Sequence, residues 1–400
     1  MYYCIANPSA RSGGRDTALP RLLSFFKKQG IPCRLYFTEG PGHAGRLARR
    51  IISQSRPADM SAALTCNTPP EHAGSRPAAH ADNKPAAHAS TPPAHTGNTE
   101  PVNLIVAGGD GTFNEVINGI DNYDNVQLAF LPVGSGNDLA RGLDLPKNPS
   151  VLIRRIAAGK IRRHLDLGAV QFHTVSGIRS RKLAGVKSVT SPDVNSSITS
   201  PDVDSSVTSP DGTASSESAA GIPSAGLTHR FVISSGIGFD AAVCEEALSS
   251  SIKNVLNRFH VGKLTYGTIA LRQILFAPKT ACDILLDDGR SLHLDKMLFS
   301  AVMNCAYEGG GYRFAPDADP ADGCMTLVAV GDIPAPKAIL SFPAAHAGKY
   351  FNIKGVHHFT IQSAEIRTEK PLWVHTDGEV SYQSDHISVK CLPKRLAMLV

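Results

Sequence analysis

Gly108-Gly109-Asp110-Gly111-Thr112 follows a short apolar run, Leu104-Ile105-Val106-Ala107, and opens a helix-like segment near Thr112. A strand that feeds a glycine turn and then a helix leaves backbone N–H groups pointing outward, and these attract anions. Glycine lets a phosphate come close because no Cβ stands in the way. The loop is not a P-loop, since no G-x-x-x-x-G-K-[ST] occurs in the chain and Val261-Gly262-Lys263-Leu264 is only a partial echo. Asp110 sits where the common phosphate site carries a positive charge. An aspartate beside a polyphosphate repels it unless a cation lies between them, so Asp110 implies Mg²⁺, held directly or through water.

The pattern recurs. Leu131-Pro132-Val133 leads into Gly134-Ser135-Gly136, with Asn137 at a helix start and Asp138 behind it. Asn7-Pro8-Ser9-Ala10-Arg11-Ser12-Gly13-Gly14 follows the first strand-like run. On a parallel sheet all three loops fall at strand ends on one edge, where ligands of such sheets bind. Gly236-Ile237-Gly238-Phe239-Asp240-Ala241 matches the dinucleotide fingerprint G-x-G-x-x-A. It lies among β-rich runs and lacks the acid expected about 20 residues on, so it reads as a decoy. By residue type alone, Asp377-Gly378-Glu379, Asp322-Gly323 and Asp287-Asp288-Gly289 are hairpin turns.

The elements that position these loops change character along the chain. Up to about residue 145, strand runs (Tyr2-Tyr3-Cys4-Ile5-Ala6 is the first) alternate with helical stripes. Leu19, Leu22, Leu23 and Phe26 make one stripe, and Ala44, Leu47, Ala48 and Ile51 another. That alternation predicts an α/β domain with a parallel sheet over 1–145. From 146 to 385 short β-rich runs separated by turn residues predict an antiparallel β-sandwich, with helices near 240–250 and 263–276. Residues 386–400 form a C-terminal strand that could return to the first domain. Two composition islands interrupt this plan. About 54–100 is rich in Ala, Pro, His and Ser, and about 175–228 carries a Thr-Ser-Pro-Asp repeat starting at Thr190, Thr199 and Thr208. Neither holds enough apolar side chains to offset the entropy of ordering, so both read as disordered inserts.

The formal charge of +5 falls short of a nucleic-acid footprint. None of the eight cysteines forms a C-x-x-C pair, and they read as scattered thiols of a reducing cytoplasm. The N-terminus lacks the pattern of a signal peptide, and no run approaches the roughly 18 apolar residues of a membrane-spanning helix, so any membrane contact is expected to be peripheral.

GGDGT-x-NE at Gly108 to Glu115, PVGSGND at Pro132 to Asp138, GGGYRFAPDADPADGCMTL and VHTDGEV together resemble the diacylglycerol kinase catalytic family. More closely, they resemble its soluble bacterial lipid kinases, which are related to sphingosine and ceramide kinases. GGDGT alone is shared with NAD kinases and 6-phosphofructokinases; the order of all four motifs is more specific. The resemblance implies an NAD-kinase-like α/β domain, a β-sandwich domain and an active site in the cleft between them. It implies transfer of the γ-phosphate of ATP to a lipid hydroxyl, with Mg²⁺ as cofactor, diacylglycerol as the first acceptor to consider and phosphatidic acid as its product.

By the same resemblance Asn7, Pro8, Ser9, Arg11, Thr38, Gly109, Asp110, Gly111, Thr112, Asn114, Glu115 and Ser135 would contact ATP, with Asp110 and Asp138 organising Mg²⁺. Glu379 aligns with the proposed general base of the family. Asp322, with the carbonyls of Asp319 and Cys324, aligns with a Mg²⁺ site seen in some members. There the chain departs from its relatives, because some carry lysine in place of Asp319 and an acidic pair in place of Pro320 and Ala321. The expected partners are ATP and a lipid at the membrane surface, not nucleic acid, and a homodimer stays open. Two alternatives also stay open: an NAD-kinase-type enzyme with a soluble substrate, and a non-catalytic nucleotide-binding regulator.

Overall fold

The structure, a computed structural model, describes residues 1–10, 17–55, 100–178, 226–249, 262–276 and 279–400. Arg11, the interior of the first island and the Thr190 repeat lie outside the described residues.

The first part runs β1 (Tyr2–Ala6), α1 (Ala18–Lys28), β2 (Cys33–Phe37), α2 (His43–Ser55), β3 (Val102–Gly108), α3 (Asp110–Asn118), β4 (Val126–Pro132) and α4 (Asp138–Gly142). β1 pairs in parallel with β2 and β3, and β3 pairs in parallel with β4. β3 and β4 are almost continuously apolar and buried along their length, as strands inside a parallel sheet are. Leu22 and Phe26 of α1 are buried, as are Ala44, Leu47, Ala48 and Ile51 of α2.

A further helix, α5 (Pro149–Ala157), follows where the sequence reads as β-rich. Its start is well specified: the Asn148 side chain accepts the Ser150 N–H and proline occupies the first turn. Leu152, Ile153 and Ile156 join the first core, and the Tyr2 hydroxyl donates to the Ile156 carbonyl at 2.9 Å. The packing of the first core therefore continues past residue 145.

The second part comprises β5 (Arg163–Phe172), β6 (Gly177–Ile178), β7 (Leu227–Phe231), β8 (Ser234–Gly238), α6 (Phe239–Ser249), α7 (Gly262–Phe276), β9 (Thr280–Leu286) and β10 (Ser291–Met303). It continues with β11 (Met325–Gly331), α8 (Ala335–Leu340), α9 (Phe342–His346), β12 (Val356–Ile361), β13 (Ser363–Thr376) and β14 (Glu379–Met398). Its strands pair antiparallel. One core lies among the strands, including Ile284, Leu327, Ile366 and Val389; another lies under the helices, around Phe239, Phe299 and Tyr350. The second island is narrower than its composition suggests. Gly177 and Ile178 pair with β14, and Leu227 and Thr228 pair with β5, so neighbouring strands order both edges.

β14 joins the two parts. It leaves a hairpin at Glu379, runs antiparallel to β13 and then to β5, and ends parallel to β4 with Ala397 opposite Gln127 and Met398 opposite Leu128. Leu396, Met398, Leu399 and Val400 are buried in the first core. Among the described residues no helix is long and apolar enough to cross a membrane.

Candidate active site

The ends of β1, β3 and β4 bring three loops together. The Asn7 N–H donates to the Ala107 carbonyl at 2.9 Å, and its Nδ2 donates to Thr112 Oγ1 at 3.0 Å. Thr38, after β2, is tied to the same edge by its N–H to the Ala6 carbonyl at 2.9 Å. Pro8 and Ser9 are exposed, with the Ser9 N–H turned back onto Asn7 Oδ1 at 2.9 Å. Gly109 and Gly134 stand back to back: a methyl on Gly134 would lie 2.6 Å from Gly109 Cα. Ser135 is exposed beside them.

The acids of these loops serve the backbone as well as any ligand. Asp110 Oδ2 accepts the Asp138 N–H at 2.9 Å, and its Oδ1 accepts the Leu139 N–H at 3.3 Å, which caps α4. Burial pushes the Asp110 carboxyl up to about 6, the α4 N–H groups pull against that, and the neighbouring Asp138 charge adds to it. Asp138 accepts the Gly310 N–H at 2.7 Å and Arg141 Nη1 at 2.5 Å. Its pKa is also raised, chiefly by burial. Both carboxylates face one spot: a methyl on Gly136 would lie 3.2 Å from Asp110 Oδ2 and 4.0 Å from Asp138 Oδ2. Each oxygen keeps a lone pair beyond its hydrogen bond. Two carboxylates held largely out of solvent, with the Asp138 charge adding to the rise at Asp110, fit a divalent cation, which would favour both charges.

Glu115 and Asn114, which line the cavity described below, also bond to protein groups. Glu115 Oε1 accepts the Gly42 N–H at 2.6 Å and Oε2 accepts the Ala44 N–H at 3.2 Å, so the carboxylate caps α2. Asn114 Nδ2 donates to Asp377 Oδ2 at 2.8 Å and to the Arg230 carbonyl at 3.1 Å. These two residues hold elements against α3, and their side-chain partners are protein groups.

Asp377 and Gly378 form the two-residue turn between β13 and β14, with φ of 51° and 80°. Both angles belong to a type I′ turn, which glycine accepts without strain. The buried Asp377 carboxylate accepts the N–H groups of Val232 at 3.0 Å, Ile233 at 2.8 Å and Ser234 at 3.1 Å. Burial raises its pKa, against the pull of these bonds. The turn delivers Glu379 to the first domain: a methyl on Gly111 would lie 2.5 Å from Glu379 Oε1. A cavity of about 480 Å³ opens here, lined by Arg46, Arg49, Asn114, Glu115, Glu379 and Tyr382 among others. The structure thus brings Asn7, Thr112, Asp110, Asp138 and Glu379 to one region formed by both parts of the chain.

Asp319, Asp322 and Cys324 lie in a separate loop before β11. Asp322 Oδ1 accepts the Cys324 N–H at 2.9 Å, and the Asp319 carbonyl accepts the Asp322 N–H at 3.4 Å. The loop rests on Asp166, which is fully buried and accepts the Gly323 and Lys394 N–H groups, each at 2.7 Å. Both loop carboxylates are exposed, and Asp322 and the Asp319 carbonyl already serve the local turn.

Two family models match this chain. The diacylglycerol kinase catalytic domain matches residues 80–170, and the YegS C-terminal NAD kinase beta sandwich-like domain matches residues 233–400. The chain is thus similar to the diacylglycerol kinase catalytic family in its first part and to YegS-type lipid kinases in its second. It is accordingly a kinase-type transferase, and its second part is a β-sandwich-like domain of antiparallel strands. A candidate lipid kinase of Bacillus subtilis, YtlR, is 23% identical over 380 residues, covering 95% of this chain and 93% of its own. A diacylglycerol kinase of the same organism is 41% identical over 68 residues, which is 17% of this chain and 22% of its own. In fold the chain is similar to the crystal structure of a candidate diacylglycerol kinase from Bacillus anthracis, with a TM-score of 0.59 and 18% identity over 100% of this chain and 96% of the other.

Sequence reasoning missed three residues beside the hairpin as functional candidates: Asp240, Glu308 and His375. Asp240 was visible only inside the decoy motif. His375 stood inside the VHTDGEV motif and Glu308 just before the GGGYRF motif, but neither had an assigned role, because their partners lie on distant segments.

Proposed function

We propose that the protein transfers the γ-phosphate of ATP to a lipid hydroxyl, with diacylglycerol as the acceptor and phosphatidic acid as the product. The observation that carries this reading is the Glu379 carboxylate standing over Gly111, where the nucleotide loops of the first domain meet the hairpin of the second. ATP as donor follows from the kinase family.

Phosphoryl transfer depends on positioning and charge neutralisation more than on covalent chemistry. The glycine turns after β3 and β4 offer backbone N–H groups to the phosphates, and Asn7 with Thr112 fixes the loop beside them. Asp110 and Asp138 would hold Mg²⁺, which when bound neutralises phosphate charge. Glu379 orients the acceptor hydroxyl and takes its proton as the oxygen–phosphorus bond forms. The bond between the γ-phosphorus and the bridging oxygen breaks, and ADP leaves. The protein meets its acceptor at the membrane surface, as a peripheral visitor.

The test is transfer of radiolabelled γ-phosphate into the organic phase from mixed micelles of diacylglycerol, monoacylglycerol, ceramide, sphingosine or undecaprenol, with and without Mg²⁺. Label in diacylglycerol that requires Mg²⁺ is the expected result. Label in another lipid corrects the acceptor. No label in any lipid, with NADP formed from NAD and ATP, overturns the reading.

A further inference from the structure

His375, near the end of β13, has no exposed surface. Its Nε2 lies 3.0 Å from Glu308 Oε1 and 3.3 Å from Asp240 Oδ2. Its Nδ1 accepts the Gly378 N–H at 3.2 Å. Asp240 comes from the first turn of α6, and Glu308 from the segment after β10. The cluster is built over a bare glycine: a methyl on Gly236 of β8 would lie 1.8 Å from Asp240 Oδ2 and 2.7 Å from His375 Nε2. The decoy motif thereby acquires a reason, since Gly236 makes the room and Asp240 fills it.

One imidazole and two carboxylates, with donor atoms within 4.8 Å of one another, resemble a metal-ligand set. The far nitrogen of the ring decides against that. A metal-bound imidazole carries its proton on the other nitrogen and donates it to a carbonyl, carboxylate or water. Here that nitrogen faces an N–H donor. Burial pulls the ring's pKa down, and Glu308 and Asp240 pull it up by more. The two carboxylates thus favour a charged ring, but its second proton, on Nδ1, would point at the Gly378 N–H 3.2 Å away; that contact decides for the ring with its one proton on Nε2, directed at the carboxylates.

The Gly378 N–H belongs to the central peptide of the turn, the group whose orientation sets the turn type next to Glu379. Asp377 pins the turn from one side through the Val232, Ile233 and Ser234 N–H groups. Nothing lies within 4 Å of the position a side chain would take at Gly378, so packing there does not hold the apex. We propose that His375 is a positioning residue for Glu379: anchored at Nε2 by Asp240 and Glu308, it fixes the central peptide of the turn through Nδ1 and so sets where the carboxylate is delivered. This rests on the reading of Glu379 as proton acceptor.

Two polar substitutions separate the roles of the ring nitrogens. In His375→Asn the amide oxygen takes the place of Nδ1 and can accept the Gly378 N–H, but the side chain does not reach the carboxylates. In His375→Gln the amide reaches the place of Nε2 and can donate to the carboxylates, but no acceptor faces Gly378. Measured by γ-phosphate transfer, His375→Gln is expected to lose kcat by about tenfold or more with KM for ATP little changed, and His375→Asn to stay within about threefold of the unsubstituted protein. A purely structural histidine gives the opposite order, because satisfying buried carboxylates matters more to stability; that order, or equal rates, overturns the proposal. Amide exchange at Gly378, faster in His375→Gln than in His375→Asn, gives the same answer without turnover. A stoichiometric transition metal in the purified protein, lost in either variant, also overturns it. Absence of transfer by the unsubstituted protein counts against the kinase reading, whereas a wrong order of variants in an active protein counts against His375 alone.

Discussion

Gly111→Ala tests whether the contact between the two domains sets the rate. The added methyl would stand 2.5 Å from Glu379 Oε1 and 3.4 Å from its Cδ. A carbon–oxygen contact settles at about 3.3 Å, so the carboxylate must retreat by about 0.8 Å. The atom displaced is the far end of a flexible side chain, so the fold yields little. Gly111 lies in the first turn of α3, where alanine is the better helix former by up to about 1 kcal/mol. Stability is therefore expected to hold or rise. A displacement of about 1 Å at a reacting group can cost about a hundredfold, so kcat is expected to fall between about tenfold and a hundredfold, or about 1.4–2.8 kcal/mol of barrier. Thermal unfolding and γ-phosphate transfer measured on one preparation check both halves. An alanine variant as stable as its parent and within threefold of its kcat would refute the placing of Glu379 at the reacting atoms.

Glu379→Gln keeps shape and removes the proton acceptor, so transfer should fall by about a hundredfold or more with the melting temperature unchanged; a variant retaining over a tenth of the rate rules that role out. Asp377→Ala leaves buried N–H groups of Val232, Ile233 and Ser234 without an acceptor and should cost about 3 kcal/mol or more, read as a lower urea midpoint. Asp110, at about 6, binds its proton more tightly in the folded chain than in the unfolded one, so between the ordinary carboxylate pKa and about 6 its contribution to stability declines as pH rises. Mg²⁺ selects the ionised form, so its affinity should fall about tenfold per pH unit below that value, and the acid limb of kcat/KM should move to lower pH as Mg²⁺ is raised. An acid limb indifferent to Mg²⁺ would remove Asp110 from the cation site.

Local signals in the chain were dependable where one element decides the outcome. The stripes Leu22–Phe26 and Ala44–Ile51 face the core, and the helices near 240 and 263 are present as α6 and α7. The sequence says less where a side chain's partner lies far along the chain. Glu115 has the residue type of a ligand contact, but the N–H groups it caps are 73 and 71 residues away. α5 was hidden because its run of β-branched and apolar residues suits a strand, and packing against the first core decides for helix. Asp110 was legible as a functional acid, but its second duty, capping α4, depends on a turn 28 residues later. His375 was legible as part of VHTDGEV but its role was not, since its neighbours come from α6, the segment after β10 and the turn itself.

The path of β14 bears on how the molecule is made. Leu396 and Met398 to Val400 are buried in a core whose other members come mostly from the first 170 residues. A ribosome adds about 5–20 residues per second, so this core stays incomplete for about 10–50 s after its other strands emerge. During that interval the edge of β4 that pairs with β14 has no partner there. The nascent chain therefore carries an unpaired strand edge until β14 emerges, and its folding yield is expected to depend on the pace of translation.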